Sequence, residues 1–206
     1  LLHGAGLSGL EKRFLEKLGD DWESATPGFC IQAFSKGKKI VDIEVGETYK
    51  IYDLASLTKL LFTTSSLMFL HDANRFRTTD QVSKWVSWFP ENYSAKIKDL
   101  LTHSAGLTWW YPFYKDVGKK TSSRTSPEEA WEIFQGILKE RILKDMKGSP
   151  EKKKKIHPSL YSDLDFFMLG QVLESIAGTT LYTVWADARD RMGLFDTDFN
   201  RGNRPK

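Results

Sequence analysis

The chain has 206 residues, 40% of them hydrophobic and 28% charged, with a formal net charge of +3. Those figures describe a globular chain able to bury a core as one large or two small domains, and so small a charge gives no reason to expect a nucleic-acid or membrane partner. The surplus is local: six lysines between Lys144 and Lys155 stand against Asp145 and Glu151, and the tail adds Arg201, Arg204 and Lys206.

The first residue is Leu1, which predicts a processed or cut start. Gly4-Ala5-Gly6-Leu7-Ser8-Gly9 fits Gly-x-Gly-x-x-Gly, but no strand precedes it and no acid closes a following strand, so a dinucleotide site is not predicted. From Ser8 to Asp21, Leu10, Phe14, Leu15 and Leu18 recur at helical intervals among charged residues, the pattern of an amphipathic surface helix. After Pro27-Gly28 two β-rich runs, Phe29 to Phe34 and Lys39 to Gly46, flank a Gly-containing turn and predict a hairpin. Cys30 is the single cysteine, which excludes an intramolecular disulfide and multi-cysteine metal sites; its apolar neighbours Phe29 and Ile31 predict a buried, inert thiol.

From Ala55 to Leu70 the pattern is helical and, apart from Lys59, uncharged, which predicts a central helix buried on most sides. Its most apolar part, Leu60 to Leu70, is short and interrupted by Thr63, Thr64, Ser65 and Ser66, so no membrane span is predicted. A short helix over Ala95 to Thr102 precedes an aromatic loop with Trp109, Trp110, Tyr111 and Phe113, either a groove wall or packing. Pro127-Glu128-Glu129 opens a helix to about Lys144, and Gly148 to Lys155 reads as a solvated loop. Leu164, Phe167, Met168, Val172 and Ile176 share a helical face that Gly178 ends, and Thr180 to Met192 gives a last helix. We read three segments: 1–54, an N-terminal helix and hairpin; 55–178, the nucleophile helix and helical region; 179–206, a return helix and tail.

Ser56 and Lys59 in Asp53-Leu54-Ala55-Ser56-Leu57-Thr58-Lys59 lie three apart at a helix start, on one face. A serine hydroxyl becomes a useful nucleophile only beside a base, and a lysine can be that base when burial or a neighbouring cation lowers its pKa. The bland reading is a cap at Ser56 and a snorkelling Lys59. Downstream come Leu100-Leu101-Thr102-His103-Ser104-Ala105-Gly106-Leu107 and Tyr161-Ser162-Asp163-Leu164.

With these three segments in this order, residues 25 to 200 resemble the serine β-lactamase and penicillin-binding-protein superfamily, in its class C β-lactamase, DD-peptidase and carboxylesterase branch. The resemblance implies an α/β (α+β) fold of the β-lactamase/transpeptidase-like type, mostly helical, whose hairpin belongs to an antiparallel sheet. It implies a serine hydrolase or acyltransferase with Ser56 as acylated nucleophile, Lys59 as its proton acceptor and Tyr161 as the relay to the leaving group. Asp163 stands where the family more often has asparagine, as a site-lining residue; a carboxylate there favours the ammonium form of Lys59 and opposes its use as a base. Ser162 doubles as a helix N-cap, and His103 takes a structural role beneath the site.

The resemblance requires no metal or organic cofactor and implies a small-molecule or peptidoglycan-like substrate; a periplasmic or extracellular setting is expected, with a cytoplasmic one left open. The family's third motif, a Lys- or His-containing triplet ending in glycine, has no counterpart after Tyr161. We therefore expect a C-terminal fragment or second chain to complete the sheet and the oxyanion hole. The competing reading is a catalytically silent binding or regulatory module that keeps the fold; a nucleic-acid site on Lys152 to Lys155 is disfavoured.

Overall fold

The computed structural model describes residues 9–19, 21–147 and 159–199. The first glycines of the Gly4 to Gly9 pattern, the lysine loop and the tail from Arg201 lie outside the described residues. The chain divides into two compact units, 1–54 and 55–206.

In the first unit, helix α1 (Gly9–Leu18) and a 3-10 turn (Asp21–Ser24) precede an antiparallel hairpin of β1 (Gly28–Ser35) and β2 (Lys38–Gly46). Lys36 and Gly37 both have positive φ, 49° and 74°, the type I′ geometry that closes a two-residue hairpin. Pairing sets Phe29 opposite Val45, Ile31 opposite Ile43 and Ala33 opposite Val41, giving one apolar face. Cys30, opposite Glu44, falls on the other face and is exposed, 3.5 Å from the Tyr52 hydroxyl. The buried thiol expected from its neighbours is thus corrected: adjacent residues of a strand point to opposite faces, so apolar neighbours say nothing about burial.

The second unit is helical. A π-helical stretch, Lys59–Thr64, runs into α2 (Ser65–Asp72), followed by α3 (Ile97–Leu101), α4 (Phe113–Lys120), α5 (Pro127–Lys147), α6 (Asp163–Ala177) and α7 (Leu181–Met192). The core gathers around α6, whose Leu164, Met168, Leu169, Val172 and Leu173 are wholly enclosed with Ile97, Leu100, Leu138 and Ile142. Ser162 caps α6 by accepting the Asp165 N–H, and Gly178, at φ 69°, stops it in the left-handed conformation where a Cβ is costly.

The helix expected to be buried on most sides is not the central one. Phe62, Thr63, Ser66 and Leu67 are buried, but Leu57, Leu60 and Met68 are exposed, and α6 takes the centre. Lack of charge shows that a helix tolerates burial, not that partners exist on every side. The π-helical widening is not predicted by the sequence; within it Thr64 donates its hydroxyl to the Lys59 carbonyl at 2.8 Å and Ser65 donates its hydroxyl to Phe62 O at 3.2 Å. Helix α4 likewise forms where a loop was expected, with Phe113 buried against Tyr111, Phe134 and Phe167.

Candidate active site

Ser56 sits just ahead of the π-helical stretch, after Ala55 at φ 43°. A left-handed non-glycine residue costs on the order of 1 kcal/mol. Another, His103 at φ 55°, begins the second arm of the site.

That arm is two loop segments zipped together. Leu160 N–H donates to His103 O at 2.9 Å, Ser162 donates its hydroxyl to Thr108 O at 2.7 Å, and Asp163 N–H donates to Trp109 O at 2.9 Å. The zipper places Tyr161 immediately before α6, its ring against His103 with centroids 4.6 Å apart.

The four residues singled out in the sequence meet. The Tyr161 hydroxyl donates to Ser56 Oγ at 2.8 Å, Lys59 Nζ donates to the same oxygen at 3.3 Å, and Lys59 Nζ pairs with Asp163 Oδ1 at 2.7 Å. The ammonium also lies 4.8 Å from the Tyr161 ring centre and 5.7 Å from that of Phe166, within cation–π range.

Electrostatics divide the roles. Burial pulls the Lys59 pKa down, but hydrogen bonds to Asp163 and Tyr161 and their charges outweigh it, so the net shift is upward and the ammonium persists. The hydrogen bond from Lys59, then that with Ser56, draws the Tyr161 phenol below its ordinary value against weak desolvation. The lysine is therefore the weaker candidate for a neutral base, and the tyrosine the stronger.

Beneath them, Ser162 N–H donates to His103 Nδ1 at 3.1 Å, and Asp165 Oδ2 lies 3.2 Å from the same nitrogen. The structural placing of His103 fits this position. Asp165, an acid in the first turn of α6, is 1% exposed. Nothing in the local sequence separates a buried acid from a solvated one at that position. The aromatic loop is divided: Tyr111 packs toward the core, while Trp109 and Trp110 are exposed. Among the described residues, no three His, Cys, Asp or Glu side chains cluster as metal ligands would.

The Beta-lactamase family profile matches residues 13–205. The chain belongs to the serine β-lactamase and penicillin-binding-protein superfamily. Superfamily relatives include an Escherichia coli O157:H7 protein named "Putative D-alanyl-D-alanine carboxypeptidase", 28% identical over 175 residues, 77% of this chain and 37% of that protein. A Salmonella gallinarum protein of the same name is 31% identical over 164 residues, 74% of this chain and 35% of that protein. The chain thus spans a little over a third of the length of these relatives. Among solved structures, FmtA from Staphylococcus aureus matches with a TM-score of 0.54 at 17% identity, covering 90% of this chain and 51% of FmtA. The octameric penicillin-binding protein homologue from Pyrococcus abyssi matches at 0.57 and 17% identity, covering 91% and 43%. These likenesses show the superfamily's β-lactamase/transpeptidase-like fold, mostly helical here with a two-stranded antiparallel hairpin.

Proposed function

We propose that this protein is a serine hydrolase or acyltransferase that forms an acyl-enzyme on Ser56. The observation that carries the reading is the convergence of Tyr161 Oη and Lys59 Nζ on Ser56 Oγ, at 2.8 and 3.3 Å. Tyr161, ionised, takes the serine proton as Oγ attacks a carbonyl carbon. The tetrahedral intermediate collapses, the phenol returns the proton to the leaving group, and the acyl group remains on Ser56. Water, activated by the same phenolate, then attacks the ester, releases the acid and regenerates Ser56. Lys59 stays an ammonium throughout, favouring the phenolate by its charge.

The names of the E. coli and Salmonella relatives support a peptide ending in D-alanyl-D-alanine as the first substrate class, with β-lactams and simple esters next. A periplasmic or extracellular setting goes with that substrate. The Ser56 N–H serves as one oxyanion donor, and a C-terminal fragment or second chain supplies the other.

The test is to treat the native protein, with any polypeptide that co-purifies, with a fluorescent penicillin and with a fluorophosphonate. Covalent mass on the peptide containing Ser56, lost in Ser56→Ala, supports the enzyme. No adduct with either reagent supports the second reading, a silent binding or regulatory module. One observation favours that second reading: the Asp163 pairing that denies Lys59 the role of base.

A further inference from the structure

We infer that Asp165 is a positioning residue for Tyr161: as a neutral carboxylic acid it donates its proton to His103 Nδ1 and fixes the ring on which Tyr161 rests. The positioning half rests on the role proposed for Tyr161; the location of the proton does not.

The argument begins with hydrogen-bond supply and demand. Ser162 N–H points at His103 Nδ1 from 3.1 Å, so that nitrogen is an acceptor and carries no hydrogen. Asp165 Oδ2 faces the same nitrogen at 3.2 Å. A carboxylate oxygen and an unprotonated imidazole nitrogen would repel at that distance, so the proton between them is placed on Asp165, and the single Nδ1 lone pair is shared between that proton and the Ser162 N–H in a three-centre bond. The other oxygen, Asp165 Oδ1, is buried with no hydrogen-bond partner among the described residues. An unpartnered oxygen costs far less as the carbonyl of a neutral acid than as half of an anion.

The surrounding charges agree. Burial, reinforced by Asp99 on α3, pushes the Asp165 carboxyl up to about 8. Burial and then the Lys59 ammonium push His103 down, against a smaller opposite pull from Asp163. Among the described residues, Tyr93, raised mainly by burial and further by the Asp165 and Asp145 charges, and Tyr161, against the His103 ring, also face the pair.

The consequence reaches Ser56 in two contacts. The His103 ring packs on Tyr161 at 4.6 Å and on Phe166 at 5.2 Å between centroids, and its carbonyl accepts the Leu160 N–H at 2.9 Å. Ring and backbone of His103 therefore grip both sides of the Tyr161 position. If Asp165 ionises, its contact survives only when Nδ1 gains a hydrogen, and the Ser162 N–H then loses its acceptor. The grip on Tyr161 is set by one proton.

Nitrogen-15 labelling of histidine in the intact protein reads the ring protonation by NMR, with His103→Gln identifying its signals among the four histidines. At neutral pH we expect an unprotonated Nδ1 and a protonated Nε2, with a transition near the Asp165 value of about 8 that Asp165→Asn abolishes. The amide can still donate to Nδ1, so Asp165→Asn should be acylated by fluorophosphonate within about threefold of the parent rate, and Asp165→Leu about tenfold more slowly. A protonated Nδ1 at neutral pH, or Asp165→Asn as slow as Asp165→Leu, overturns the inference. If Asp165→Leu does not fold, the wild-type ring signals decide alone. If the parent protein is not acylated at all, the catalytic reading and the positioning half fail together, while the NMR result still locates the proton.

Discussion

Lys59 and Asp163, 104 positions apart in the chain, meet as a 2.7 Å ion pair beside Ser56. The pair explains why one lysine in an apolar stretch is not a deprotonated lysine. Desolvation alone would lower its pKa, yet the carboxylate and phenol hold it upward, and the phenol is drawn down in return.

Asp163→Asn tests that division of labour. Without the carboxylate, Lys59 loses its proton at lower pH. Tyr161, whose pKa the Asp163 charge raises, ionises at lower pH as well. Both limbs of the pH profile for acylation should therefore move toward acid. Stopped-flow acylation measured across pH checks this, and an unmoved alkaline limb contradicts the assignment of Lys59 as ammonium.

Asp165 links stability to pH. Burial pushes its folded-state carboxyl up to about 8, far above the ordinary aspartate range, so the native protein holds a proton the unfolded chain has released. The stabilisation is complete below the unfolded value and is lost as pH rises toward 8, with a slope of about 1.4 kcal/mol per pH unit. Urea denaturation at a series of pH values should show this decline in the parent protein and its absence in Asp165→Asn.

Ser162 is a cap and a clamp at once, accepting the Asp165 N–H at 3.3 Å and donating to Thr108 O at 2.7 Å while wholly buried. Ser162→Ala should cost about 1–2 kcal/mol in denaturant unfolding from the lost cap. The freed zipper should also slow acylation of Ser56. Unchanged stability would remove the capping account.

Much of this was legible in the residues. The cap at Ser162 and the stop at Gly178 are local chemistry, and each works where its residue type predicts. Ser56, Lys59, Tyr161 and Asp163 were findable because their motifs stand in order, and folding brings them together. What escaped depends on what lies across the fold. The burial of Asp165, the exposure of Leu57 and Leu60, and the π-helical stretch all follow from packing against distant segments. Cys30 differs for another reason: strand parity, not the character of flanking residues, decides which face a side chain takes.

The central claim is that Tyr161 activates Ser56. The rate of covalent acylation by fluorophosphonate, followed by intact mass and peptide mapping in the parent protein and in folded Tyr161→Phe, tests it most directly. Removing a positioned general base typically costs about 10²–10⁴ in rate, so the variant should acylate Ser56 slower by that order. A Tyr161→Phe protein that acylates Ser56 at the parent rate, or an adduct mapped to another residue, would contradict the account.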